Sequence, residues 1–171
     1  MIEDMLVVCA WCRKHLGVTG DPDDQITSHG MCDACASHLE ASTYGIPLRQ
    51  FLDSLDVPVT LVDDNVRVVY ANPSTHALLK KSHAAIEHQF GGNVFECENS
   101  YQPGGCGKTA SCTACTLRNA VTRCYKSGQA EDGLVATLTR RTDGGVVDFS
   151  MRISTRRIND QVLVKIDEIV G

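Results

Sequence analysis

The nine cysteines constrain this 171-residue chain more than any other feature, because eight of them form two clusters. The first is Cys9, Cys12, Cys32 and Cys35; the second is Cys97, Cys106, Cys112 and Cys115; Cys124 stands alone. The acidic start reaches its first cysteine too early for a signal peptide, and no apolar run approaches the roughly 20 residues that span a bilayer. We therefore expect a cytoplasmic protein without a membrane segment, whose reduced thiols bind metal or undergo redox chemistry.

The first cluster has the spacing of a four-cysteine zinc site. Two C-x2-C pairs are separated by nineteen residues, and each tight turn can direct two sulfurs at one ion. Four thiolates fill a tetrahedral shell at about 2.3 Å per sulfur, so the site is predicted to be structural, with zinc as the metal. The metal would supply the folding energy of a module over residues 1–40, which has almost no core. His29 is predicted to support the site without binding the ion.

The segments around these cysteines read CAWC (9–12) and SHGMCDAC (28–35). They resemble the short zinc-ribbon-like element that is often joined to bacterial signalling domains, which usually reads C-x-x-C-K-K and S-H-G-I-C-x-x-C. Arg13 and Lys14 stand where that element has paired lysines. The resemblance implies a zinc-ribbon-like module attached to a signalling domain.

The rest of the chain alternates between the periods of helices and strands. Residues 41–56 form a predicted linker that carries a helix over 47–56, with an apolar stripe of Leu48, Phe51, Leu52 and Leu55. A hairpin follows, then helices over 73–81 and 83–88, a glycine-rich loop over 91–111, and a helix from 111 to Gly128. Three strands over 134–140, 147–154 and 162–166 complete the pattern, and strand 147–154 is predicted to have one solvated face. This order predicts an α+β fold, a five-stranded antiparallel sheet with helices on one face.

The segment 61–73, LVDDNVRVVYANP, resembles the opening strand pair of the PAS domain family, in which the hairpin leads into an N-P helix start. The resemblance covers roughly residues 47–170, and it places a PAS-like sensory domain at 57–171. It implies a sensory or protein-interaction module whose cavity faces the helices.

The second cluster, C-x8-C-x5-C-x2-C, is not a standard zinc spacing. Three interpretations stay open. Four thiolates on a glycine-rich loop suit an iron–sulfur cluster, which we take as the leading interpretation. A second structural zinc and a reversible disulfide or free thiols are the alternatives. On a continuous helix Cys112 and Cys115 would point away from the face of Leu117, and Cys124 is predicted to be a small buried hydrophobe.

The sequence lacks the motifs of several other functions. The helix predicted over 111–127 contains no histidine for a haem iron, and only His76, His83 and His88 on the earlier helices could serve. Cys97 does not lie in the N-C-R-F-L context of photoactive flavin domains. Phosphate loops and nucleophile elbows are absent, so no enzymatic activity is expected, and a net charge of −5 argues against nucleic acid as a partner.

The sequence therefore predicts a small cytoplasmic signalling protein that senses redox state or oxygen through a metal centre at the second cluster. It would signal by contact with a partner protein, and the apolar stripe over 48–55 predicts a homodimer. The alternative is a non-sensing interaction module with two structural zinc sites.

Overall fold

A computed structural model describes residues 5–9, 11–12, 14–19, 27–35 and 48–170. The chain divides into two units between Val57 and Pro58. No helix in these described ranges is long and apolar enough to cross a membrane.

The first unit contains a three-stranded sheet formed by β1 (Met5–Cys9), β2 (His15–Thr19) and β3 (Thr27–Gly30), in the order β2-β1-β3. Strand β2 runs antiparallel to β1, whereas β3 runs parallel to it. The helix α1 (Leu48–Asp53) belongs to the same unit. It lies within the predicted 47–56, and two residues of its apolar stripe, Leu52 and Leu55, are buried.

The second unit contains the predicted five-stranded antiparallel sheet. Its strands are β4 (Val59–Val62), β5 (Val68–Ala71), β6 (Glu131–Thr142), β7 (Gly145–Ile158) and β8 (Gln161–Val170). Their order is β5-β4-β8-β7-β6, and every neighbouring pair is antiparallel. The last strand in sequence thus lies at the centre of the sheet, beside the first. This is the strand order of the PAS fold, so the fold class expected from the sequence is confirmed.

The second unit contains α2 (Pro73–Leu79), α3 (His83–Ile86), α4 (Gly91–Val94) and α5 (Thr116–Ser127), with 3-10 turns η1 (Glu98–Tyr101) and η2 (Ala110–Ala114). The predicted cap of α2 is present: Asn72 Oδ1 accepts hydrogen bonds from the Thr75 N–H and from the Val59 N–H, both at 3.0 Å. One buried side chain therefore joins the start of α2 to the start of β4.

The core of the second unit lies between one face of the sheet and the helices. Met151, Ile153 and Val162 from the sheet pack in one cluster with Val121 and Cys124 from α5. Cys124 is fully buried, as predicted for a small hydrophobe. Gly128 ends α5 in the left-handed region, with φ of 73°.

Two sequence predictions need correction. Residues 91–111 are not an irregular loop, because α4 and η1 lie within them, as does the start of η2. The proposed solvated face of strand 147–154 is wrong at Ser154, which is fully buried and donates a hydrogen bond of 2.6 Å to Asp167 Oδ2. The Lys165 ammonium lies 2.7 Å from Asp167 Oδ1 and is also buried. Alternation could not reveal these polar groups as buried, because they satisfy one another inside the protein.

Candidate metal centres

The sheet register of the first unit brings its four cysteines together. Parallel pairing sets Cys9, at the end of β1, opposite Gly30 at the end of β3. Cys12 follows in the turn after β1, and Cys32 and Cys35 follow β3. The four sulfurs lie within 4.8 Å of one another, and all nine cysteines of the chain are free thiols. The structure therefore provides a four-thiol group that can hold a metal.

Backbone N–H groups point at these sulfurs. Cys9 Sγ accepts from the N–H of Trp11 and of Cys32, both at 3.4 Å, and Cys32 Sγ accepts from the N–H of Cys35 at 3.4 Å. Burial opposes the Cys9 thiolate, but these N–H groups and that of Cys12 outweigh it and lower the pKa of Cys9 to about 6. Burial raises the pKa values of Cys12 and Cys35. Cys9 is therefore more readily ionised than Cys12 or Cys35, and its thiolate is the form that binds a cation.

The spacing of this group fits one tetrahedral ion. Thiolates at about 2.3 Å from a central ion lie about 3.8 Å from one another. The sulfurs of Cys12 and Cys32 are 3.6 Å apart. The side chain of His29, predicted to support the site, lies outside the described residues.

The second set of cysteines lines a single cavity in the other unit. Cys97, Cys106, Cys112 and Cys115 all contribute to its wall, together with Leu138 of β6. Its volume is about 180 Å³, over ten times the roughly 10–15 Å³ that holds one water molecule. Among the described residues, no three of these four sulfurs form a group within 4.8 Å. The four thiols therefore surround a space that is wider than the one around a single ion.

Cys112 is the thiol of this set with the clearest hydrogen bonds. Its Sγ accepts from the Gly107 N–H at 3.2 Å, and the Thr109 hydroxyl lies 3.1 Å away. Burial opposes the thiolate, but these hydrogen bonds outweigh it, so the pKa of Cys112 is lowered. Gly107 has φ of 87°, a conformation that glycine adopts without strain.

Cys115 and Arg118 define the other side of the cavity. Burial raises the pKa of Cys115, and charge on the other three thiols raises it further. The Arg118 guanidinium lies 3.9 Å from Cys106 Sγ and donates to the Asn65 carbonyl at 3.1 Å. A negatively charged group bound to four thiolates would therefore lie beside a fixed positive charge.

A close approach at Gly92 also shapes the cavity. A methyl group added there would lie 2.8 Å from Cys106 Sγ, inside van der Waals contact. Gly92 is the second residue of α4, so this short helix packs directly against the cysteine loop, by which we mean residues 96–115 with their four cysteines. Because Gly92 has no side chain, Cys106 can approach the backbone of α4 closely.

Strong polar contacts fasten the cysteine loop to the edge strand β6. Glu96 Oε2 accepts from Arg140 Nε and Nη2 at 2.9 and 2.6 Å, and its other oxygen lies 3.2 Å from the Lys81 ammonium. Glu98 accepts a fork of two hydrogen bonds from Arg141, at 2.7 and 2.6 Å. The Arg141 N–H donates to the Glu96 carbonyl at 2.8 Å, and Cys97 pairs with Arg140 in an isolated bridge. Both residues that flank Cys97 are therefore tied to β6.

Part of this site was not predicted from the sequence. The helix does not run on through residues 111–115, because η2 ends at Ala114 and Cys115 is the N-cap of α5. Facing directions worked out for one continuous helix therefore do not apply to Cys112 and Cys115. The role of Arg118 was also missed; its position three residues after Cys115, at the start of a helix, was the available signal.

Comparisons with known proteins find similarity among solved structures. No protein-family model matches the sequence, and no curated protein matches it. Among solved structures, the LOV protein of Rhodobacter sphaeroides is 20% identical, with a TM-score of 0.48 over 72% of this chain and 65% of that one. This chain thus spans less than two thirds of the length of that protein.

Two isolated PAS domains are also similar. The PAS domain of an HTR-like protein from Haloarcula marismortui is 12% identical, with a TM-score of 0.45, and covers 81% of this chain and 100% of its own. The PAS domain of the quorum-sensing receptor RpfR from Cronobacter turicensis, solved in complex with BDSF, is 13% identical, with a TM-score of 0.44. The match covers 67% of this chain and 95% of that domain. Because these sequence identities and TM-scores are low, the fold assignment rests on the strand order and register of this chain. They define a PAS-like domain that follows a small unit with four converging cysteines.

Proposed function

We propose that this protein is a signalling module that senses redox state or oxygen through a metal centre bound by Cys97, Cys106, Cys112 and Cys115. The observation that carries the proposal is the cavity of about 180 Å³ into whose wall all four thiols are built. An iron–sulfur cluster bound there would supply a centre that oxygen or another oxidant can oxidise. Several iron atoms hold their thiolates farther apart than a single ion does, in keeping with the wide spacing of these sulfurs.

The residues around the cavity suit such a group chemically. The Gly107 N–H and the Thr109 hydroxyl stabilise the thiolate of Cys112, and hydrogen bonds to sulfur tune cluster potentials. Arg118 offsets negative charge beside Cys106. Access for a small oxidant is supported by Cys106 and Cys97, which are only partly buried.

Signal output in this proposal passes through β6. Loss of ligation would free the loop around Cys97, which Glu96 and Glu98 connect to Arg140 and Arg141. A change in the loop would then alter the outer edge of the sheet, because β6 is the edge strand. An edge strand is a surface at which a partner protein can respond to such a change.

We further propose that zinc fills the first group and that the protein forms a homodimer through α1. Four converging thiols at single-ion spacing support zinc. For the dimer, Leu52 is fully buried within one chain, so the interface would use Leu48 and Phe51, which are half-buried. Leu48→Glu should therefore give a monomer in light scattering, and a variant as dimeric as the parent protein would exclude this helix as the interface.

Anaerobic purification tests the sensor proposal. The protein should be brown with broad charge-transfer absorption, and air should bleach it, because thiolate-bound iron is redox-active. Cys115→Ala should abolish the colour and leave the zinc of the first group in place. Cys124→Ala is the matched control, since this buried cysteine lies in the core and does not line the cavity, and it should stay brown.

A colourless anaerobic protein with two zinc ions per chain, one of which is lost in Cys115→Ala, would replace this function with the alternative, a non-sensing interaction module. One zinc per chain together with an oxidised cysteine pair at the second set would indicate a thiol switch.

A further inference from the structure

Two histidines and a glutamate meet on the helices, apart from both sets of cysteines. His76 lies on α2, His83 opens α3, and Glu87 follows the last residue of α3. One ligand atom from each residue lies within 4.8 Å of the other two. The two imidazole rings are 4.1 Å apart between centroids and are tilted by 40°.

The tautomer of His76 is set by its backbone partner. His76 Nδ1 lies 3.1 Å from the Lys81 carbonyl oxygen, and because a carbonyl only accepts, Nδ1 carries the proton. Nε2 is then left with a bare lone pair, and it is buried with no hydrogen-bond partner among the described residues. Histidines that bind metals are held in this way, with the other ring nitrogen donating to a carbonyl or carboxylate.

The other two residues supply an exposed imidazole ring and a carboxylate. His83 Nδ1 lies 3.4 Å from Glu87 Oε1, and the His83 side chain is 74% exposed, so its ring can turn toward an ion. Glu87 is 20% exposed. The neighbouring cation, Lys81, directs its ammonium to the Val94 carbonyl at 2.7 Å and to Glu96 at 3.2 Å, away from this carboxylate.

We infer that His76, His83 and Glu87 form a binding site for a divalent transition ion, with zinc as the probe of choice. Imidazole and carboxylate ligands suit zinc, copper or nickel better than calcium or magnesium. Three protein ligands leave a further position for water or for a donor from a partner. A bound ion would clamp α2 to α3 across the turn that separates them.

Isothermal titration of Zn²⁺ into the protein with its thiolate sites already filled tests the site. One further zinc should bind per chain, and His83→Gln and Glu87→Gln should each weaken this step at least about tenfold. His88→Asn is the matched control: it removes a neighbouring exposed histidine, while asparagine tolerates the φ of 63° found there. The control should bind like the parent protein.

Nitrogen chemical shifts of the imidazole rings give a readout that does not depend on variants. Zinc should shift the ring nitrogens of His76 and His83 and leave those of His88 in place. Absence of a further zinc, equal loss in His88→Asn, or unmoved His76 signals would each overturn the assignment. None of these outcomes touches the sensor proposal, because the thiolate sites are filled throughout.

Discussion

Replacing Glu96 by glutamine tests whether the cysteine loop is fastened to β6 as the structure indicates. The substitution keeps the shape of the side chain but removes the charge that accepts two hydrogen bonds from Arg140 and faces Lys81. Charge-assisted hydrogen bonds contribute about 1.5–3 kcal/mol in sheltered positions. The carboxylate is 31% exposed and therefore partly screened, and glutamine still accepts one bond, so we expect a loss of about 1–2 kcal/mol.

Urea unfolding followed by far-ultraviolet circular dichroism measures this loss. With a slope of about 2 kcal/mol per molar, in the middle of the range for small proteins, the midpoint should fall by about 0.5–1 M. The single tryptophan, Trp11, lies in the first unit, so its fluorescence reports that unit separately. Glu168→Gln is the control, because this carboxylate is 63% exposed and lies 3.5 Å from Arg152, and it should hardly move the midpoint.

Acid provides a second test of the same contact. Hydrogen bonding from Arg140 lowers the pKa of Glu96. A carboxyl group whose pKa is lowered by folding contributes its full stabilisation above the unfolded value of about 4.3, and loses it as the pH falls through the folded pKa. The difference between parent and Glu96→Gln should therefore narrow as the pH falls below about 4.3 and close once the pH is below the folded pKa. Equal midpoint shifts in both variants, or a difference that persists in acid, would refute the reasoning.

Three further predictions concern the cysteines. Cys12→Ser should release about one metal ion and move the emission of Trp11 to longer wavelength. The far-ultraviolet circular dichroism of the larger unit should persist. Full metal content in this variant would contradict the four-thiol site. Gly92→Ala should displace Cys106 and reduce the metal bound at the cavity by at least half. Gly144→Ala is the control, because Gly144 has open space around it, and this variant should keep its metal. Equal metal content in the two variants would mean that α4 does not shape the site. In metal-free protein whose larger unit stays folded, Cys124 should resist iodoacetamide because its side chain is fully buried, while the exposed Cys12 reacts. Mass spectrometry distinguishes the two sites.

Local signals in the sequence were sufficient for most of the sheet and for the first set of cysteines. Asn72 followed by proline marks the start of α2, and Gly128 marks the end of α5. The C-x2-C spacing indicates turns that bring sulfurs together, and the structure finds those four sulfurs close to one another. Each of these signals acts over a few residues, which is why the sequence alone reveals it.

Features that depend on distant partners could not be found in this way. Glu96 and Arg140 are far apart in sequence and become neighbours only when Cys97 pairs with β6. Ser154 looks solvated by its place in the alternation, yet Asp167 on the next strand satisfies its hydroxyl. The breaker residues of 91–111 predict a loop, but their short turns are held by tertiary contacts such as the Gly91 N–H bond of 2.8 Å to the Val66 carbonyl.

The central position of β8 has a consequence for how the sheet assembles. Val59 pairs with Lys165, so closing this ladder joins segments roughly 100 residues apart and costs the entropy of a long loop. Hairpin β6–β7 and the pair β4–β5 are local and can form early, but β4 and β7 each keep an open edge until β8 inserts between them. During synthesis on the ribosome, these edges of β4 and β7 therefore stay unpaired until β8 emerges, and this interval is when the nascent chain is most exposed to aggregation or chaperone capture.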